Sequence, residues 1–100
     1  MEQISVQSLK AKINSGETPH LIDVREPDEH AAFNLGGILL PLGQILSMQT
    51  DEISDLQNEE IICYCKSGKR SMQAALMLET MGFTQVKTLT GGVMAWMDEQ

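Results

Sequence analysis

Short β-prone runs alternate with helical segments along this chain, and that alternation constrains its fold more than any other feature. The clearest strand is residues 61–64, an apolar run that follows three polar residues. The clearest helix is residues 71–81, which has a wide apolar face and is followed by Gly82, a residue type that commonly ends helices. Because strands connected through helices pair in parallel and cover both faces of their sheet with helices, the sequence predicts an α/β fold with a mainly parallel sheet.

The remaining elements are predicted from shorter patterns. Further strands are expected at residues 4–6, 20–24, 38–40 and 86–89, and further helices at residues 8–14, 27–34 and 93–98. The segment 42–56 has a weaker pattern, which we interpret as two short helical pieces with a break near Thr50.

The length and the apolar distribution limit the architecture and the location. A chain of 100 residues is long enough for one domain, so we predict a single domain over residues 1–100. No segment approaches the roughly 18 to 20 apolar residues that cross a bilayer, which predicts no membrane partner. The start lacks a basic stretch followed by an apolar one, the pattern of a secretory leader, and we therefore expect a cytoplasmic protein.

The charge distribution is uneven. The formal net charge is −7, which argues against nucleic acid as a partner because phosphate backbones require a broad basic face. Only seven residues are Lys or Arg, and three of them, Lys66, Lys69 and Arg70, closely follow Cys65. In an acidic protein this cluster concentrates positive potential where a small anion could bind.

Cys65 lies where a predicted strand ends and a short loop leads into a helix. Ligands of parallel sheets bind at the carboxyl ends of strands, and a helix N-terminus offers unpaired N–H groups. Gly68 would let the loop curl so that its N–H groups face inward. We therefore expect the pKa of Cys65 to lie below the value of about 8.5 for free cysteine. This interpretation requires the loop N–H groups to face the sulfur and the side chain to be reachable from solvent.

The second cysteine is interpreted differently. Cys63 lies within an apolar strand, where a free cysteine is usually a packed core residue, although a resolving thiol remains an alternative. A disulfide between residues two positions apart in an extended strand would have poor geometry. His20 and His30 are isolated, and His30 is interpreted as a packing residue, so we expect no metal site and no cofactor.

Three motifs together resemble the rhodanese family. They are LIDVREP at residues 21–27 followed by Glu29, CKSGKRS at residues 65–71, and LTGGVMAW at residues 89–96. They occur in the family's order and span almost the whole chain. The stretch FNLGGI at residues 33–38 departs from the common family pattern Gly-His-Ile-Pro-Gly-Ala. It is similar to rhodanese domains fused to E1-like enzymes that adenylate and thiolate sulfur carriers, which raises the question of a protein acceptor.

The resemblance implies a five-stranded, mainly parallel sheet with helices on both faces and a thiosulfate sulfurtransferase activity. Sulfane sulfur would pass from thiosulfate or a persulfide donor to Cys65, the nucleophile, and then from its persulfide to cyanide, a thiol or a protein. Asp23 would organise the site, and Arg25 would help the anion approach. The implied substrate-binding residues are those of the loop that follows the nucleophile: Lys66, Ser67, Gly68, Lys69, Arg70 and Ser71.

Two other functions were weighed against this one. Cysteine phosphatases occur on related folds, but they place arginine six positions after the cysteine, whereas here Arg70 is five positions after Cys65 and Ser71 occupies the sixth. A sulfur-relay or regulatory module, which passes sulfur to a dedicated protein partner, remains the open alternative.

Overall fold

The computed structural model describes residues 1–99 and contains one five-stranded sheet in the order β1-β5-β4-β2-β3. Every neighbouring pair of strands is parallel. The strands are β1 (Glu2–Ile4), β2 (His20–Asp23), β3 (Ile38–Leu39), β4 (Glu60–Tyr64) and β5 (Gln85–Leu89). The predicted α/β fold with a parallel sheet is therefore confirmed.

Helices cover both faces of this sheet. They are α1 (Val6–Asn14), α2 (Pro27–Ala32), α3 (Leu42–Leu46), α4 (Lys69–Thr80) and α5 (Gly92–Asp98), with a 3₁₀ helix at Asp51–Leu56. Successive strand side chains point to opposite faces. Ile61 and Cys63 of β4 accordingly join the buried cluster that α3 and α4 cover, while Ile62 and Tyr64 join the cluster that α1 and α5 cover.

Several boundaries differ from the predicted ones. The first strand is Glu2–Ile4, not residues 4–6, because the Oγ of Ser5 accepts the N–H of Ser8 at 3.0 Å and so starts α1 at Val6. Helices α4 and α5 begin at Lys69 and Gly92, before the predicted starts at residues 71 and 93. The last residue of the predicted 1–100 domain, Gln100, lies outside the described residues. Among residues 1–99, no helix has the length and apolarity that crossing a membrane requires.

The sheet order places the end of β4 in the middle of the fold. Strand β4 lies between β5 and β2, and Tyr64 at its end is paired in register with Asp23 at the end of β2. Cys65 follows directly. The cysteine and the polar residues after β2 therefore meet at the carboxyl edge of the sheet, where parallel sheets bind ligands.

Candidate active site

The loop that follows β4 wraps around the sulfur of Cys65. The N–H of Gly68 donates to Sγ at 3.0 Å and the N–H of Ser71 donates to it at 3.4 Å. Gly68 makes this possible, because it precedes α4 with a φ of 116°, a conformation that side-chain-bearing residues rarely adopt. The Ser71 hydroxyl lies 3.7 Å from Sγ but only 3.0 Å from the carbonyl oxygen of Gly68, which is the better acceptor for its single proton.

These hydrogen bonds give the two cysteines different pKa values. Burial alone would raise the pKa of Cys65, but hydrogen bonds from the backbone N–H groups of Ser71, Gly68 and Ser67 bring the net pKa below its ordinary value. Burial, with a smaller contribution from the neighbouring Cys65, raises the pKa of Cys63 to about 12. Cys63 is a fully buried thiol of the core, as the sequence indicated, and Cys65 is the thiol that ionises more easily.

The burial of Cys65 differs from the sequence-based requirement of an accessible side chain. The residue is only 1% exposed. Lys66, Ser67 and Lys69 are exposed and Gly68 is partly exposed, so the loop that binds the sulfur also lies between it and solvent.

The turn before α5 and the start of that helix donate hydrogen bonds to the first residues of the active loop. The N–H of Val93 donates to the carbonyl of Cys65 at 2.9 Å, and the N–H of Met94 donates to the carbonyl of Lys66 at 3.0 Å. Gly92 permits this approach, because a Cβ at its position would lie 2.2 Å from the Cys65 carbonyl oxygen. The Gly-Gly motif, recognised in the sequence only as a family feature, thus fixes the start of the active loop.

Asp23 and Arg25 form a buried network after β2. Asp23 Oδ1 accepts the backbone N–H and the Nε of Arg25 at 3.0 and 2.9 Å, and Oδ2 accepts Nη2 of Arg25 and Nδ1 of His30, each at 2.8 Å. Arg25 also donates to the carbonyl of Phe33. Burial opposes ionisation of Asp23, but the hydrogen bonds from Arg25 and His30 lower its pKa overall. This geometry supports the organising role expected of the pair, and His30, interpreted as a packing residue, is a direct partner of Asp23.

Arg70, the last cation of the loop, is bound to a carboxylate. Its Nη1 and Nη2 donate to Oε1 and Oε2 of Glu29 at 2.7 and 2.9 Å. Lys66 and Lys69 have no such ion pair among the salt bridges of residues 1–99. Sequence reasoning missed the role of Glu29, which lies 41 positions before Arg70 and showed only as part of the family motif.

A cavity of about 280 Å³ borders the outer side of the same loop. One wall is made by Ser67, Gly68, Lys69 and Met72, and the opposite wall by Gln3 and the segment from Thr88 to Gly91. Cys65 does not line this cavity. A molecule bound there would contact the loop rather than the sulfur.

A family model, a curated relative and a solved structure each match nearly the whole chain. The family model described as "Rhodanese-like domain" matches residues 5–99. A Bacillus subtilis protein named as a sulfurtransferase, YtwF, is 36% identical over 101 residues, which cover 99% of this chain and 93% of YtwF. The crystal structure of SSP1007 from Staphylococcus saprophyticus is 31% identical with a TM-score of 0.83, covering 99% of this chain and 96% of that one.

Other relatives are longer proteins. YrkF of Bacillus subtilis, named as a sulfur carrier protein, is 33% identical over 95 residues, which cover 94% of this chain and 50% of YrkF. MoeZ of Mycobacterium tuberculosis, named as an adenylyltransferase/sulfurtransferase, is 30% identical over 93 residues, which cover 93% of this chain and 24% of MoeZ. The similarity to MoeZ agrees with the resemblance to domains of E1-like enzymes. The family match over nearly all of its residues shows that this chain belongs to the rhodanese-like domain family.

Proposed function

We propose that this domain is a sulfurtransferase that carries sulfane sulfur on Cys65 as a persulfide. The observation that carries the proposal is the pair of backbone N–H groups, from Gly68 and Ser71, that donate to Cys65 Sγ. Such donors stabilise negative charge on sulfur before and after transfer. The relatives named as sulfurtransferases give independent support.

The reaction follows from a thiolate held in this loop. The Cys65 thiolate attacks the outer sulfur of thiosulfate, the S–S bond of the donor breaks, and sulfite leaves with its electron pair. A persulfide donor would react in the same way and release a thiolate. The Cys65 persulfide anion then accepts hydrogen bonds from the loop until cyanide or a thiol attacks its outer sulfur and regenerates the Cys65 thiolate.

Loop movement is part of this proposal. Cys65 is 1% exposed, and the loop lies over its sulfur. The donor therefore enters when residues 66–68, which precede α4, are displaced, and the outer sulfur of the persulfide extends into the space between these residues.

Mass spectrometry of the intact protein tests the proposal directly. After incubation with thiosulfate, the wild type should gain one sulfur atom, and addition of cyanide should remove it as thiocyanate. Cys65→Ser should lose both signals, because a serine hydroxyl does not ionise near neutral pH. Cys63→Ala is the matched control and should retain both signals. The proposal is wrong if neither thiosulfate nor a low-molecular-weight persulfide loads the wild type.

A sulfur-relay module that serves a protein acceptor is the second candidate function. It is favoured by the similarity to YrkF and MoeZ, in which the matching region is a half and a quarter of the protein. The loaded domain would then transfer sulfur slowly to cyanide and small thiols. It would also form a complex with its acceptor that requires the Cys65 persulfide, and a pull-down with loaded and unloaded protein distinguishes the two functions.

A further inference from the structure

The only arginine of the active loop is occupied by a carboxylate. Arg70 makes two hydrogen bonds to Glu29, at 2.7 and 2.9 Å. The backbone N–H of Glu26 holds the Glu29 carboxylate in place at 3.0 Å. Hydrogen bonds from Arg70 and from this N–H lower the pKa of Glu29 to about 2, so the carboxylate is charged at every pH where a thiolate forms.

The pairing of Arg70 with Glu29 lowers the net positive charge of the active loop towards a sulfur donor. The carboxylate of Glu29 cancels the charge of Arg70, and the two remaining cations, Lys66 and Lys69, are exposed, so solvent and salt screen them. The reactive sulfur itself is stabilised by N–H groups of the loop. The loop is therefore suited to one negative charge on sulfur, and it offers no uncompensated guanidinium to a second charge.

We propose that Glu29 is a specificity-determining residue that favours donors with a single negative charge over dianions such as thiosulfate. The inference rests on the proposed function and makes monoanionic sulfane compounds, such as organic persulfides and thiosulfonates, its preferred donors. Arg70 directly precedes Ser71, whose N–H donates to Cys65 Sγ, so a dianion that approaches the sulfur must either displace Glu29 from Arg70 or approach with the carboxylate still beside it. Either route raises the activation free energy of sulfur loading more for the dianion than for the monoanion.

Two donors that differ by one charge isolate this effect. Thiosulfate is a dianion, and methanethiosulfonate has a methyl group in place of one charged oxygen. In each case the Cys65 thiolate attacks the terminal sulfur and the S–S bond of the donor breaks. Cys65 persulfide forms together with sulfite from the first donor and methanesulfinate from the second, and the total charge is conserved in both reactions.

Glu29→Gln should raise the ratio of the loading rate with thiosulfate to the loading rate with methanethiosulfonate. Glutamine has the size of glutamate but no charge, so Arg70 regains a full positive charge to which a dianion responds twice as strongly as a monoanion. The expected increase is roughly threefold to tenfold, the effect of one partly exposed charge. Rates are measured as sulfur added to the intact protein with time.

Asp28→Asn is the matched control. Asp28 lies in the same helix, is exposed, and has no ion pair among the described residues, so the variant makes the same charge change without releasing Arg70. Its rate ratio should stay close to that of the wild type. Arg70→Gln gives a second measurement should Glu29→Gln fail to fold: it leaves Glu29 uncompensated and should lower the ratio.

The outcomes separate the two proposals. If both donors load the wild type and Glu29→Gln leaves the ratio unchanged or lowers it, the inference about Glu29 is wrong while the sulfurtransferase proposal stands. An equal increase in Asp28→Asn would also overturn the inference, because net charge alone would then explain the effect. If neither donor loads the wild type, the proposed function fails, and the inference fails with it.

Discussion

Replacing Gly92 with alanine should loosen the active loop and destabilise the domain by a calculable amount. The new Cβ would lie 2.2 Å from the carbonyl oxygen of Cys65 and 2.7 Å from that of Lys66. Both neighbours are backbone atoms, so neither can move aside by changing a rotamer. Gly92 also has a φ of 59°, where alanine is disfavoured.

The two costs can be estimated separately. A non-glycine residue in the left-handed region costs about 1 kcal/mol. Forcing an extra carbon into a packed contact costs about 1 to 3 kcal/mol more. The free energy of unfolding should therefore fall by about 2 to 4 kcal/mol, which a domain with roughly 5 to 15 kcal/mol of stability survives. Urea denaturation measures this change.

Two other glycines serve as controls. Gly16 has a φ of 96° but open space around its Cβ position, so Gly16→Ala should show the backbone cost alone, about 1 kcal/mol. Gly43 lies in α3 with neither feature, and Gly43→Ala should be neutral or stabilising by up to about 1 kcal/mol. If Gly92→Ala is no more destabilising than Gly16→Ala, the close approach of the turn to the loop does not exist as described.

The remaining predictions concern the thiols and the buried carboxylate. Alkylation of Cys65 should rise with a midpoint below that of cysteine in the unfolded chain, since folding lowers its pKa, while Cys63 in the folded protein should stay unreactive. A midpoint equal to or above that of the unfolded chain would contradict the loop geometry. Ser71→Ala should change that midpoint little, because the N–H is retained and the hydroxyl favours another acceptor. Asp23→Asn should cost about 3 to 5 kcal/mol in urea denaturation at pH 7, because it leaves Arg25 buried without a carboxylate. Folding lowers the pKa of Asp23, so the ionised carboxylate contributes fully to the free energy of unfolding at pH values above its pKa in the unfolded chain. The difference in stability between the wild type and Asp23→Asn should therefore shrink as the solution is acidified towards the pKa of Asp23 in the folded protein. A difference that stays constant with pH would contradict this prediction.

The features that could be predicted from the sequence are those with continuous local signals. A β-prone run, a cysteine, a glycine in a basic loop and an amphipathic helix follow one another from residue 61 to residue 81, and each has a direct physical meaning. These signals placed Cys65 at the carboxyl end of a predicted strand and predicted that its loop curls through Gly68. The start of α1 was missed although a local signal existed, because Ser5, a residue type that caps helices, was assigned to a strand at residues 4–6.

The features that could not be predicted depend on contacts between distant residues. The charges of Arg70 and Arg25 are visible in the sequence, but their partners are not, and both arginines were therefore expected to attract a substrate anion. In the fold, Arg70 is bound to Glu29 and Arg25 to Asp23. The burial of Cys65 likewise comes from packing, which no run of neighbouring residues encodes.

The hydrogen bonds from Val93 and Met94 have a consequence for biosynthesis. The carbonyls that begin the active loop receive their donors from a helix translated almost thirty residues after the cysteine. A chain shortened before Gly92 therefore retains all five strand segments but lacks the donors that hold the start of its sulfur-binding loop. A stop codon introduced before Gly92 should yield a product that keeps the sheet sequence but has a thiol open to oxidation, so this short helix protects the nucleophile as well as packing against the sheet.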